Sequence, residues 1–62
     1  MKKPKCKLVG QDGNIYNLVA IASRTLEEAG QAENAKAMQN AVFSSKSYDT
    51  ALCAIMKFVD MS

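Results

Sequence analysis

The hydrophobic positions change period once along the chain. In residues 5–9, KCKLV, they alternate: Cys6 and Leu8 share one side, and Lys5, Lys7 and Val9 the other. A period of two marks a half-buried strand. Pro4 and Gly10 bound it.

From Ile15 the spacing becomes helical. Ile15, Leu18, Val19, Ala22, Leu26 and Ala29 recur at i, i+3, i+4 and i+7, with Asn17, Arg24, Glu27 and Glu28 on the other side. Asn14 precedes this stripe as an N-cap, and Gly30 stands where a left-handed residue closes a helix. The pattern predicts a helix over 15–29. A second helix is expected over 32–44, from an alanine-rich run free of proline and glycine. Its apolar stripe is thin: Ala35, Met38 and Val42, flanked by Gln39 and Phe43. Ser47 caps a third helix, and Asp49 favours the positive end of its dipole. Tyr48, Ala51, Leu52, Ile55, Phe58 and Val59 then make a broad apolar face that predicts helix over 48–60, with Cys53 and Lys57 opposite. The expected fold is mainly α: a short N-terminal strand, or a small β-hairpin, followed by a compact three-helix domain.

Length changes the picture next. Sixty-two residues make one domain, with 1–4 as a flexible basic tail. A chain this small buries only about 60% of the surface its unfolded form exposes, so its core gains from a staple or a partner. Cys6 and Cys53 are the two cysteines and there is no histidine. Two cysteines so far apart form neither a zinc spacing nor a disulfide framework. Free thiols, with no secretory or membrane-spanning hydrophobic run, point to the cytoplasm.

Charge is uneven. Four of the eight basic residues, Lys2, Lys3, Lys5 and Lys7, lie in the first seven positions. The other four face six acids, so the formal +2 belongs to the N-terminus rather than to the folded body. Those four lysines are the candidate nucleic-acid contacts.

The loop GQDGN, between strand and first helix, is the one stretch that looks like a ligand site. It has a phosphate cradle's order, but NIY follows Gly13 where a P-loop needs lysine and a hydroxyl, and Asp12 would repel an anion. Asp12 and Asn14 supply too few oxygens for a calcium loop. As an Asp-Gly hairpin turn it would require Ile15 and Tyr16 to run extended, against the helical stripe that begins there. It reads best as the joint from strand to helix.

Catalysis finds no support. Without histidine, a base would have to be a carboxylate, lysine or tyrosine, and Glu27, Glu28 and Glu33 fall on polar faces. Cys53 lies mid-helix, away from free N–H groups that favour a thiolate, and Cys6 suits a small core position. No catalytic residue, cofactor or metal site is expected. A helix-turn-helix reading is weak, because the second helix carries Glu33 and one basic residue, Lys36, beside the amides Gln31, Asn34, Gln39 and Asn40.

The segments CKLVGQDGNIYNLVAIASRTLEEAG and SYDTALCAIMKFVD carry a resemblance. The chain resembles a widespread group of small uncharacterised bacterial proteins, often found on phages and other mobile elements. Their marks are a K-L-V-G-x-D-G-N start, an A-G pair ending a helix, and a G-D-Y-like turn before the last one. Gly10, Asp12, Gly13, Asn14, Ala29, Gly30 and Tyr48 match, whereas Ser47 stands where the group tends to show aspartate after a glycine. The resemblance spans Cys6 to Asp60 and implies context, not mechanism.

Interaction remains. A single strand leaves its backbone groups unpaired unless another strand supplies them. The sequence therefore predicts a small non-enzymatic interaction module that pairs through Lys5, Cys6, Lys7, Leu8 and Val9 with a second copy or an unknown protein partner. Tyr16, Phe43, Met56 and Met61, at the edges of their stripes, would extend that surface. The alternative is a nucleic-acid-associated accessory protein of a mobile element, using Lys2, Lys3, Lys5 and Lys7.

Overall fold

A computed structural model describes residues 3–7 and 13–61. The expected strand positions Leu8 and Val9, most of the GQDGN loop and Lys2 lie outside the described residues.

Three helices follow one another: α1 over Ile15–Glu28, α2 over Ala32–Phe43 and α3 over Tyr48–Met56. Two short strands bracket them, β1 at Lys5–Cys6 and β2 at Asp60–Met61. Ile15 and Tyr16 are helical from the start, so the hairpin with those residues extended is not adopted.

Local chemistry sets the helix ends. Asn14 Oδ1 accepts the Tyr16 N–H at 2.9 Å, and Ser47 Oγ accepts the Thr50 N–H at 3.2 Å, each satisfying a donor that the first turn leaves without a partner. At the end of α1, Gly30 adopts φ 78°. Its N–H then reaches the Glu27 carbonyl at 3.0 Å, and the Gln31 N–H reaches Leu26 O at 2.8 Å. That pair of bonds is a Schellman closure. A Cβ built on Gly30 meets nothing within 4 Å, so Gly30→Ala should cost only the left-handed backbone strain, about 1–2 kcal/mol. A thermal melt reads this, at roughly 4–8 °C per kcal/mol in a domain this small. An unchanged midpoint would mean that Gly30 does not hold this conformation.

The core draws on β1, on all three helices and on the segment before β2. The largest fully buried side chains are Cys6 from β1, Leu26 from α1, Met38 from α2, Ile55 from α3 and Val59 from the segment before β2. On α1 the predicted stripe is buried at Leu18, Val19, Ala22 and Leu26, but Ala29 is exposed as the C-cap. Ser23 is buried as well, and its hydroxyl accepts a hydrogen bond from Gln39 Nε2 at 2.8 Å, which ties α1 to α2.

Two expectations change at the chain's ends. The third helix does not run through residue 60; it stops at Met56. The next N–H groups fold back on the last turn, Lys57 to Ala54 O at 3.3 Å and Phe58 to Ile55 O at 3.0 Å. Val59 is thereby buried, and Asp60 is freed to pair with β1. The N-terminal strand also finds a pairing partner within the chain. It lies parallel to β2, with Lys5 opposite Asp60 and Cys6 opposite Met61. The Asp60 N–H donates to the Pro4 carbonyl at 2.9 Å, extending the pairing by one residue. Parallel strands require a long crossover, and here the three helices provide it. Lys3 Nζ donates to the Met56 carbonyl at 2.9 Å, where the C-terminal end of a helix favours a cation. Residues 3 and 4, expected in a flexible tail, are therefore held by α3 and β2.

Candidate groove at the aromatic end

Alternating helix directions bring the start of α1, the end of α2 and the start of α3 to one end of the molecule. Tyr16 lies in the first turn of α1, Phe43 closes α2, and Tyr48 opens α3. Together with Ile15, Val42, Ser45, Lys46, Ser47 and Ala51 they line an open groove of about 330 Å³. The floor is apolar because Val42 and Ala51 belong to the core.

Three aromatic side chains stay out of that core. Tyr16 is 69% exposed, Phe43 60% and Tyr48 46%. The chain has two tyrosines and two phenylalanines, so three of its four aromatic rings converge on this groove. Tyr16 and Phe43 form a tilted pair, centroids 6.0 Å apart at 33°, within the range of favourable aromatic contacts. The Tyr48 hydroxyl donates to the Gly13 carbonyl, which pins that ring against the residue before the α1 cap.

Most side-chain polar groups on the rim are engaged within the chain. Ser45 Oγ donates to Ala41 O at 2.8 Å, and Ser47 Oγ is shared with Thr50 through its side chain and its N–H. Among the described residues, the Lys46 ammonium and the Tyr16 hydroxyl have no partner. Among the described residues, Lys46 is the one charged side chain lining the groove.

The remaining expected site residues are elsewhere. Cys6 is buried and accepts a weak hydrogen bond from Thr25 Oγ1 at 3.5 Å. Lys5 and Lys7 are exposed on either side of it, as the strand alternation implies. The described part of this strand lies beside the C-terminal end of α3, whereas the groove with Tyr16 lies at its N-terminal end. Of the amides considered for base reading, Asn34 donates to Gln31 Oε1 at 2.9 Å and Gln39 to Ser23; only Asn40 is left exposed without such a bond. Both thiols are free, Cys6 buried and Cys53 exposed. Among the described residues, no three histidine, cysteine, aspartate or glutamate side chains group as a metal site would require, and no helix is long and apolar enough to cross a membrane.

The grouping of Tyr16, Phe43 and Tyr48 is what a reading of the sequence missed. Its signal was there: an aromatic residue in the first turn of one helix, the last turn of the next and the first turn of the third. Tyr48 was expected on the apolar face of α3, but its ring sits at the rim because it occupies the first helical position, beyond the end of the core. No family model matches the chain, and no curated protein or solved structure matches it.

Proposed function

We propose that this chain is a small, non-enzymatic protein-interaction module that engages its partner at the aromatic groove. One observation carries the reading: three aromatic side chains remain solvent-exposed around a single depression. Scattered apolar residues on a surface are ordinary. Clustered aromatic rings differ, because tyrosine and phenylalanine are enriched where surfaces meet, and their shared burial is the main source of affinity. The two free cysteines accord with a cytoplasmic role. Self-association through the N-terminal strand would use its outer edge, since Lys5 and Cys6 already pair with Asp60 and Met61 on the inner one.

Selection of a displayed random-peptide library on the wild-type protein, and in parallel on Phe43→Ser, tests this reading. Enrichment of peptides that bind the wild type and fail on the variant is expected. Peptides indifferent to Phe43→Ser, or none at all, would sink it. Because Phe43 is 60% exposed, the variant should keep its helical circular dichroism.

A second reading, a nucleic-acid-associated accessory protein of a mobile element, draws on the resemblance and on one feature of β1. Burying Cys6 turns Lys5 and Lys7 to solvent, while the Lys3 ammonium lies at the end of α3 beside exposed Lys57. Asp60, opposite Lys5, weakens this ridge. Duplex DNA at low salt should then bind with an affinity that falls as salt rises, by a log–log slope of about −0.9 per phosphate contact. Replacing Lys5 and Lys7 by glutamate should remove most of that binding, and no binding at low salt ends this alternative.

A further inference from the structure

We infer that the groove takes an extended, proline-rich segment of a partner protein that carries an acidic residue. This rests on the interaction reading above and names the chemistry of its partner.

The wall comes first. Pyrrolidine rings pack on the faces of tyrosine and phenylalanine, and proline-rich segments dock in aromatic-lined grooves with little entropy left to lose. Tyr16, Phe43 and Tyr48 offer such faces, and the bond from the Tyr48 hydroxyl to Gly13 holds one of them ready. Pre-formed rings lower the ordering cost of binding.

The polar rim points the same way. With the Ser45 and Ser47 hydroxyls engaged, the side-chain groups of the described lining left to meet a partner are the Lys46 ammonium and the Tyr16 hydroxyl. The ammonium only donates, and the hydroxyl carries a donor of its own. A proline-rich segment suits them, because each proline brings a carbonyl acceptor and no N–H that would need an acceptor in the groove. Lys46, the one charge on the lining among the described residues, calls for a carboxylate.

Size argues against a helix as occupant. A volume of about 330 Å³ lies at the small end of ligand sites, which run from about 300 to 1,000 Å³. A helix with its side chains is about 10–12 Å across and needs a longer trough. A second copy of this chain does not supply the segment either. The chain has one proline, Pro4, and its carbonyl is bonded to Asp60.

The test is a two-dimensional amide NMR titration of the full chain with three synthetic peptides of equal length, repeating Pro-Pro-Glu, Pro-Pro-Lys or Ala-Ala-Glu. Pro-Pro-Glu should move the signals of Tyr16, Phe43, Lys46 and Tyr48. The lysine peptide should bind about fivefold more weakly, the difference one exposed ion pair provides. Ala-Ala-Glu should bind at least about tenfold more weakly, and Phe43→Ser should weaken Pro-Pro-Glu by a similar factor. Lys46→Glu, at an exposed position, should invert the preference between glutamate and lysine peptides. The inference is overturned if Pro-Pro-Glu leaves the groove signals unmoved, or if Ala-Ala-Glu binds equally well. Library selection separates the two levels. Groove-dependent peptides without proline or acid overturn this inference and leave the interaction reading standing, whereas the absence of any groove-dependent peptide overturns both. A concentration-dependent dimer in light scattering that Phe43→Ser abolishes would assign the groove to a second copy and overturn the inference as well.

Discussion

Leu26→Ala should lower the unfolding free energy by about 2–5 kcal/mol, and Ile55→Ala by a similar amount. Both side chains are fully buried, one on α1 and one on α3, with Met38 of α2 buried in the same cluster. Truncation removes transfer free energy and leaves a cavity, and the spread in cost depends on how far the neighbours can collapse. For a domain of this length the total stability is about 3–9 kcal/mol. Either substitution therefore takes a large share, and the more costly outcome leaves the chain unfolded at ambient temperature. Urea unfolding followed by circular dichroism measures the change. A loss below about 1 kcal/mol at both positions would show that the core is not centred on these residues.

The second large effect concerns the chain ends. Val59→Asp should release the segment after α3 and free β1 with it. Val59 is 1% exposed, and an unpaired carboxylate at such a position costs about 3–5 kcal/mol. The segment it anchors is held by few bonds: the Asp60 N–H to Pro4, the short pairing of β1 with β2, and Lys3 on Met56. Thiol labelling with mass spectrometry gives the readout. In the wild type, exposed Cys53 should react quickly and buried Cys6 only after unfolding. In Val59→Asp, Cys6 should approach the rate of Cys53, while most of the helical signal persists because α1, α2 and α3 end before residue 59. Continued protection of Cys6 in a folded Val59→Asp would show that the termini are not held together by this packing.

These two effects separate what neighbouring residues encode from what distant ones do. The helices were legible because their signals are local. A cap acts within three residues, as Asn14 does on Tyr16 and Ser47 on Thr50. The apolar stripe through Leu18, Val19, Ala22 and Leu26 repeats within two turns. The end of α3 was not legible. Val59 lies four residues after Ile55 and bonds to its carbonyl at 3.1 Å, so it is buried whether the helix continues or turns away. Apolar periodicity cannot distinguish those two paths.

The groove was half legible for a related reason. Tyr16 and Phe43 stood at the edges of their stripes, but an edge position does not say which other edge it will face. That depends on how three helices lie side by side. Legible in the residues alone were the mainly α class, the starts of all three helices, the left-handed closure at Gly30 and much of the core, though not buried Ser23 and Ala54 or exposed Ala29 and Tyr48. Helix packing set the rest: β1 pairs with β2 across the whole helical crossover, and three aromatic rings meet at one end. Caps and stripes arise between residues a few positions apart. Strand partners and shared grooves arise between residues that come together only after the helices have packed.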